Sequence, residues 1–321
     1  MYKSWAIFDL KYGRVMPNIS RINLILFIML ACLWSGSFIG IKEVVKVWPP
    51  LFGAAARVGI AVCSLTVLVY TLRKNRNIPY SIRCKLWVIG LFSQAIPFSF
   101  LFWGERLIAP GLAGILNGTT PIWTFIFALI FFPQATEFSI LRTLGLLIGI
   151  MGIVIIFWPI MSFDKNIDSF LGAGAVLVMA MSYAVGGLLN QHFLKSTVRI
   201  DFLTNVYYQH WASVTYLIIA SLIFEKWPGV HYLFAAYTPW VASIYLGVFS
   251  TAIAYAIFYH LIREWDALRA SSVLYLVPVL ALVWDYLFFG NEPGRYEIMG
   301  VIGVLLGMVL ISMPTNIRKI H

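Results

Sequence analysis

The chain has 321 residues, 61% of them hydrophobic and 11% charged, with a mean hydropathy of +0.86. Soluble domains carry about a quarter charged residues, so this composition excludes an ordinary water-soluble fold. A net charge of +10 would suit a nucleic acid, but the basic residues lie in short segments between long apolar runs, and no nucleic-acid partner is needed to explain them.

A helix crosses a bilayer core with roughly 20 apolar residues, and ten such stretches are predicted. A basic segment over 1–21 leads into the first, 22–41, which carries Trp34 and Ser37 near mid-depth. Its apolar run is long and no small-residue cleavage site follows, so it is expected to be a retained span. The second, 51–72, contains Arg57, and the third, 86–103, contains Gln94. The fourth, 107–132, carries Asn117, Thr119, Thr120 and Pro121; the fifth, 140–157, presents Gly145 and Gly149 on one face. After a linker over 159–169, the sixth, 170–189, carries Tyr183 and the seventh is 206–224. The eighth, 239–260, holds Ser250 and Tyr255, and the ninth, 267–289, holds Tyr275, Pro278 and Asp285. The tenth, 298–311, presents Gly303 and Gly307 and is followed by a tail over 313–321. The expected class is an all-α integral membrane protein.

With the N-terminus inside, sixteen of the 23 basic residues fall in inner segments and six in outer ones, with Arg57 within a span. This bias predicts that both termini are cytoplasmic and that the protein sits in a cell (inner) membrane.

The stretch 90–132 recurs at 247–289 with a constant offset. Gly90, Ser93, Ala95, Arg106, Pro121 and Phe132 match Gly247, Ser250, Ala252, Arg263, Pro278 and Phe289. Each copy holds five spans, so the units would be 22–158 and 170–312. Five is odd, so the second copy enters the membrane from the opposite side, and a direct sequence repeat becomes an inverted repeat in space. Such halves give two conformations of similar energy, open to opposite sides, with a site between them. Pro121 and Pro278 lie inside matched spans, where proline frees a carbonyl and kinks the helix. A freed carbonyl in lipid must face protein or a wet cavity, so both helices are expected to line that site.

Polar side chains within a span are costly unless they face protein or water. Trp34, Ser37, Gln94, Asn117, Tyr183, Tyr255 and Tyr275 are therefore the candidate solute-binding residues. Arg57 and Asp285 fall at similar outer depth, and together with Pro121 and Pro278 are the candidates for gating or coupling. They could pair as an outer gate, divide a solute's carboxylate and amine or proton between them, or snorkel to the interface. Lys42, Glu43, Glu105 and Arg106 read as solvated rim residues; His192, His210 and His260 read as solvated near inner ends. The small faces on spans five and ten suit close packing within the bundle or a dimer seam. Cys32, Cys63 and Cys84 have no metal-ligand spacing, and neither metal nor cofactor is expected.

The residues Trp34 to Phe38, Ala113 with Pro121, Ser250 to Tyr255, Ala270 to Ser272, Pro278, Glu292 and Gly300 resemble the EamA family of the drug/metabolite transporter superfamily. Thr136 before Glu137, and Asp285 after Pro278, depart from that pattern. The resemblance implies two five-helix repeats and a transporter of small solutes, with export of an amino acid or related metabolite first. A multidrug or quaternary-amine carrier and a metabolite importer are the alternatives. The rival class is a membrane-embedded lipid enzyme, but no catalytic motif such as H-E-x-x-H or G-x-S-x-G occurs. The expected partners are a small solute and membrane lipid. Proton coupling, direction and a monomeric or dimeric state are left open.

Overall fold

Where an apolar chain is surrounded by lipid, each backbone amide must be bonded within the protein, which leaves helices or a closed barrel, and runs of about 20 apolar residues fit the helix. A computed structural model describes residues 21–74, 77–131, 140–162, 167–194, 201–227, 229, 233, 236–264 and 273–312. The basic segment and tail expected over 1–20 and 313–321, and Glu137, lie outside the described residues. Among the described residues there are ten long helical elements and no strand. They are α1 (Arg21–Val45), α2 (Pro50–Thr71), α3 (Tyr80–Leu107), α4 (Pro110–Phe131) and α5 (Ile140–Ser162). The second set is α6 (Ile167–Leu194), α7 (Phe202–Phe224), α8 (238–264), α9 (Val273–Phe289) and α10 (Arg295–Ser312).

Six are long and apolar enough to cross a membrane: α1 to α4, Ile167–Asn190 of α6 and Thr238–Phe258 of α8. Ile140–Ile156 and Leu276–Phe289 are shorter apolar helices. Proline starts several helices, where its missing N–H has no intrahelical partner to lose. Pro50 and Pro110 are first residues of α2 and α4. At the other end of α9, Gly290 adopts φ +70, a conformation that only glycine takes without cost.

The packing exchanges under a shift of five helices. α1 packs on α9 as α6 packs on α4; α2 packs on α8 as α7 packs on α3; α1 packs on α8 as α6 packs on α3. The pairs α2–α7, α4–α9 and α5–α10 map onto themselves and so straddle the pseudo-two-fold axis. This is the relation that two inverted five-helix repeats require.

Both repeats carry π-helical turns at one position. These are Leu91–Ala95 in α3 and Tyr245–Ile253 in α8. The 90–132 to 247–289 correspondence places the first within the second. The prolines differ. Gly118 and Thr119 form a turn that breaks α4 just before Pro121, whereas Pro278 sits in an unbroken helix. A Cβ at Gly118 would stand 2.6 Å from Pro278 Cγ, so the α9 proline packs into the α4 break.

The small faces on α5 and α10 meet each other. A Cβ at Gly152 would stand 2.8 Å from the Gly300 carbonyl, and one at Gly307 would stand 2.6 Å from that of Gly145. The glycines therefore serve backbone contact within the chain.

Candidate functional site

The inverted packing leaves a cavity of about 330 Å³ between the repeats. α1 contributes Trp34, Ser37 and Phe38, and α2 contributes Arg57. Phe98 and Leu101 come from α3, Asn117 and Thr120 from α4, and Tyr183 and Gly187 from α6. Ser250, Tyr255 and Phe258 come from α8, with Leu274 and Val277 from α9. Larger recesses of about 610 and 680 Å³ exist, but the residues lining them include the exposed Tyr237, Val241 and Phe288 in one and Tyr80 and Trp211 in the other. They lie on outer faces of the bundle, whereas the cavity of about 330 Å³ lies between the repeats.

Of the candidate binding residues, Trp34, Ser37, Asn117, Tyr183 and Tyr255 line this cavity. The Tyr275 side chain lies outside the described residues. α4 and α9 both line the cavity, but Pro121 and Pro278 themselves do not. Two aromatic groups form its walls. Trp34 packs on Phe258 and Tyr255 at 5.2 and 6.1 Å between ring centroids, and Phe98 packs edge-on to Tyr183 at 6.4 Å. Ser37 and Thr120 donate back to the Trp34 and Asn117 carbonyls at 2.6 and 2.7 Å, the usual fate of hydroxyls in a helix. The Asn117 amide and the Tyr183 and Tyr255 hydroxyls make no hydrogen bond to a described residue and remain available to a ligand.

Arg57 is the one charged residue among those lining the cavity. Its Nε donates to Thr251 Oγ1 at 3.2 Å, and its guanidinium lies 4.3 Å over the Phe98 ring. Its terminal amino groups have no hydrogen-bond partner among the described residues. The helix crossing that holds it is tight. A Cβ at Gly247 would stand 2.7 Å from Ile60 Cβ and 2.8 Å from the Arg57 carbonyl.

The same arrangement recurs across the pseudo-two-fold axis. Gly90, the repeat partner of Gly247, would place a Cβ 2.5 Å from the Gln209 carbonyl of α7. Gln94 occupies the repeat position of Thr251, and its Nε2 lies 3.1 Å from His210 Nδ1. Each π-helical turn thus aims a polar side chain at the opposite repeat. One side holds a cation in the cavity; the other holds a glutamine–histidine pair behind Tyr255, whose ring packs 5.8 Å from that of His210. Gln94 is therefore behind the cavity wall and does not line it.

Two expectations are corrected. His210 is fully buried, with Nδ1 2.8 Å from the Val206 carbonyl, because α2 and α3 pack on α7 and the Tyr255 ring of α8 lies against its own. Glu105 is also fully buried, and Lys42 donates from Nζ to the Glu105 and Ile108 carbonyls at 2.7 and 2.8 Å. His210 is thus not solvated at an inner end, nor is Glu105 a solvated rim residue. His260 is half-buried and lies 3.2 Å from Asn23 Oδ1; the His192 side chain is outside the described residues.

Arg57 and Asp285 neither snorkel nor pair. They are 5% and 3% exposed. Asp285 instead accepts from the Gly111 backbone N–H and from Asn291 Nδ2, each at 2.9 Å. It caps the start of α4 from α9, where an anion meets the positive end of the helix. Asp285→Ala should lower unfolding stability by about 1–3 kcal/mol, with Asp285→Asn milder, because a buried donor loses its acceptor. Thermal unfolding in detergent checks this; an unchanged midpoint in Asp285→Ala would contradict the cap.

The helices, the inverted packing and the cavity between the repeats define a multi-pass membrane transporter. The chain belongs to the EamA-like transporter family, which matches residues 22–158 and 170–313. It is 23% identical to the uncharacterized transporter YoaV of Bacillus subtilis, over 91% of this chain and 97% of that one. It is 24% identical to the uncharacterized inner membrane transporter YedA of Escherichia coli, over 88% and 87%. A solved crystal structure shares the fold with a TM-score of 0.61 at 16% identity, covering 90% of this chain and 96% of the other.

Proposed function

We propose that this protein is a secondary carrier that exports a small carboxylate-bearing metabolite, an amino acid first, across an inner membrane by alternating access. The observation that carries the reading is Arg57, a lone cation in an aromatic cavity with its terminal donors unused. A buried guanidinium recognises a carboxylate through two parallel bonds. Trp34, Phe98, Tyr183, Tyr255 and Phe258 supply surface for an apolar side chain, and Asn117 an orienting amide. A cavity of about 330 Å³ is at the small end of ligand sites. The same cation disfavours a quaternary-amine substrate.

The two ends of the bundle differ. The end bearing Val45, Leu107 and Phe289 is sealed by aromatic contacts of Trp48 with Phe52 and Trp240 at 5.3 and 4.9 Å. Glu225 of the linker after α7 accepts from the Leu51 and Phe52 backbone N–H groups at 2.7 and 2.9 Å there. At the other end of α4, only Ile122 and Phe125 of Thr120–Phe131 are buried. With the basic bias placing the first end outside, this is a conformer closed outward.

The test is a thermal-shift screen of amino acids, amines and toxic cations on purified protein, then counterflow of the hits in proteoliposomes. Amino acids should raise the unfolding midpoint and exchange saturably. Stabilisation by amines alone, with no amino-acid exchange, would replace the proposed solute class.

A further inference from the structure

We propose that Glu105 is a proton-binding site that controls closure of the outer end of the cavity. The inference rests on the carrier reading, though its first test is independent of the solute. Glu105 has no exposed surface, and neither of its carboxyl oxygens has a hydrogen-bond partner. It stands about one turn of α3 beyond Leu101, which lines the cavity. Gly104 makes this burial possible. A Cβ there would stand 2.8 Å from Val176 Cγ2 and 2.9 Å from the Gly172 carbonyl, so α6 closes directly over the turn.

The charges that act on Glu105 are Lys42 from α1, Arg57 from α2 and Asp285 from α9. α6 presents Gly172, Ala175 and Val176 at this turn, and α4 has no titratable group over Pro110–Asn117. Neither cation donates to the carboxyl group. Lys42 Nζ is engaged by the Glu105 and Ile108 carbonyls, and the Arg57 Nε by Thr251. Asp285 accepts from Gly111 and Asn291.

An ionised carboxylate needs donors or water, whereas the neutral acid needs far less. The packed outer end leaves the carboxyl group without a donor among the described residues and without exposed surface, so it suits the neutral acid. When α3 and α6 separate there, water reaches the group and it releases its proton. Proton binding then favours the closed end, and proton loss favours the open one. A proton taken up from the outer side by Glu105 is thereby linked to the conformational change that turns the cavity inward.

The experiment uses the full chain in liposomes. Dicyclohexylcarbodiimide, which attacks neutral carboxylic acids in dry sites, should modify Glu105 near neutral pH, as located by peptide mass spectrometry. The modification should fall as pH rises. In the same vesicles, lowering the pH on the outer side alone should slow exchange of a labelled amino-acid mixture by up to about tenfold per pH unit, because the bound proton holds the outer end closed. Glu105→Gln should lose that response. Absence of carbodiimide modification at Glu105, or an outer-pH response retained in Glu105→Gln, would overturn the proposal. Carbodiimide labelling reads the proton site without any solute, so a failure of the amino-acid reading leaves its own distinct signature.

Discussion

Arg57→Ala should reduce saturable solute exchange by about thirtyfold or more at equal membrane levels. Removing one partner of a buried charge pair costs about 2–5 kcal/mol, and each 1.4 kcal/mol is about tenfold in affinity. In the empty carrier the guanidinium is held by Thr251 Oγ1 and by the Phe98 ring, leaving its terminal nitrogens free for a solute. Arg57→Lys should recover only part of the exchange. Lysine keeps the charge but cannot present two parallel donors or lie flat over Phe98. A variant that folds normally, judged by its unfolding midpoint, separates lost binding from lost structure. Normal counterflow in Arg57→Ala would remove this residue from solute recognition.

The second large effect should come from the α5–α10 crossing. A side chain at Gly152 has no room, with the Gly300 carbonyl and the Val304 amide nitrogen each 2.8 Å from where its Cβ would be. Gly152→Leu should destabilise the protein by more than the roughly 1–3 kcal/mol typical of an overpacked core, since backbone rather than a flexible side chain must move. Gly174→Ala is the control, because nothing lies within 4 Å of its Cβ position. Thermal unfolding in detergent should show a large drop for the first and little change for the second. Because these small faces meet within the chain, the drop should be present in the monomeric form. A loss confined to an oligomer would contradict the packing.

The sequence showed the frame of this molecule because lipid makes few demands and makes them plainly. Runs of about 20 apolar residues located the helices, and an odd number of them per repeat dictated the inversion. Trp34, Asn117 and Arg57 stood out because polar and aromatic groups at mid-depth need a reason to be there. Depth along a helix is readable in this way; rotation about its axis is less so. Glu105 is two residues from the end of α3 and so read as rim, yet Gly104 lets α6 cover it. His210 was misread for the same reason. Pro97 stands just after the π-helical turn of α3, but no proline marks the one in α8, and the pairing of Asp285 with Gly111 joins residues 174 positions apart. The difference between Pro121 and Pro278 arises from Gly118 and Thr119, which allow a break that the second repeat lacks.

The central claim is that one cavity between the repeats serves both sides of the membrane in turn. Asn117→Cys, in a chain with Cys32, Cys63 and Cys84 replaced, places a thiol in that cavity. Its reaction with a membrane-impermeant maleimide should be measured in right-side-out and in inside-out vesicles. The account predicts labelling from both sides, slowed in both by a saturating solute identified in the screen. Labelling from one side only, under every condition of solute and pH, would contradict it.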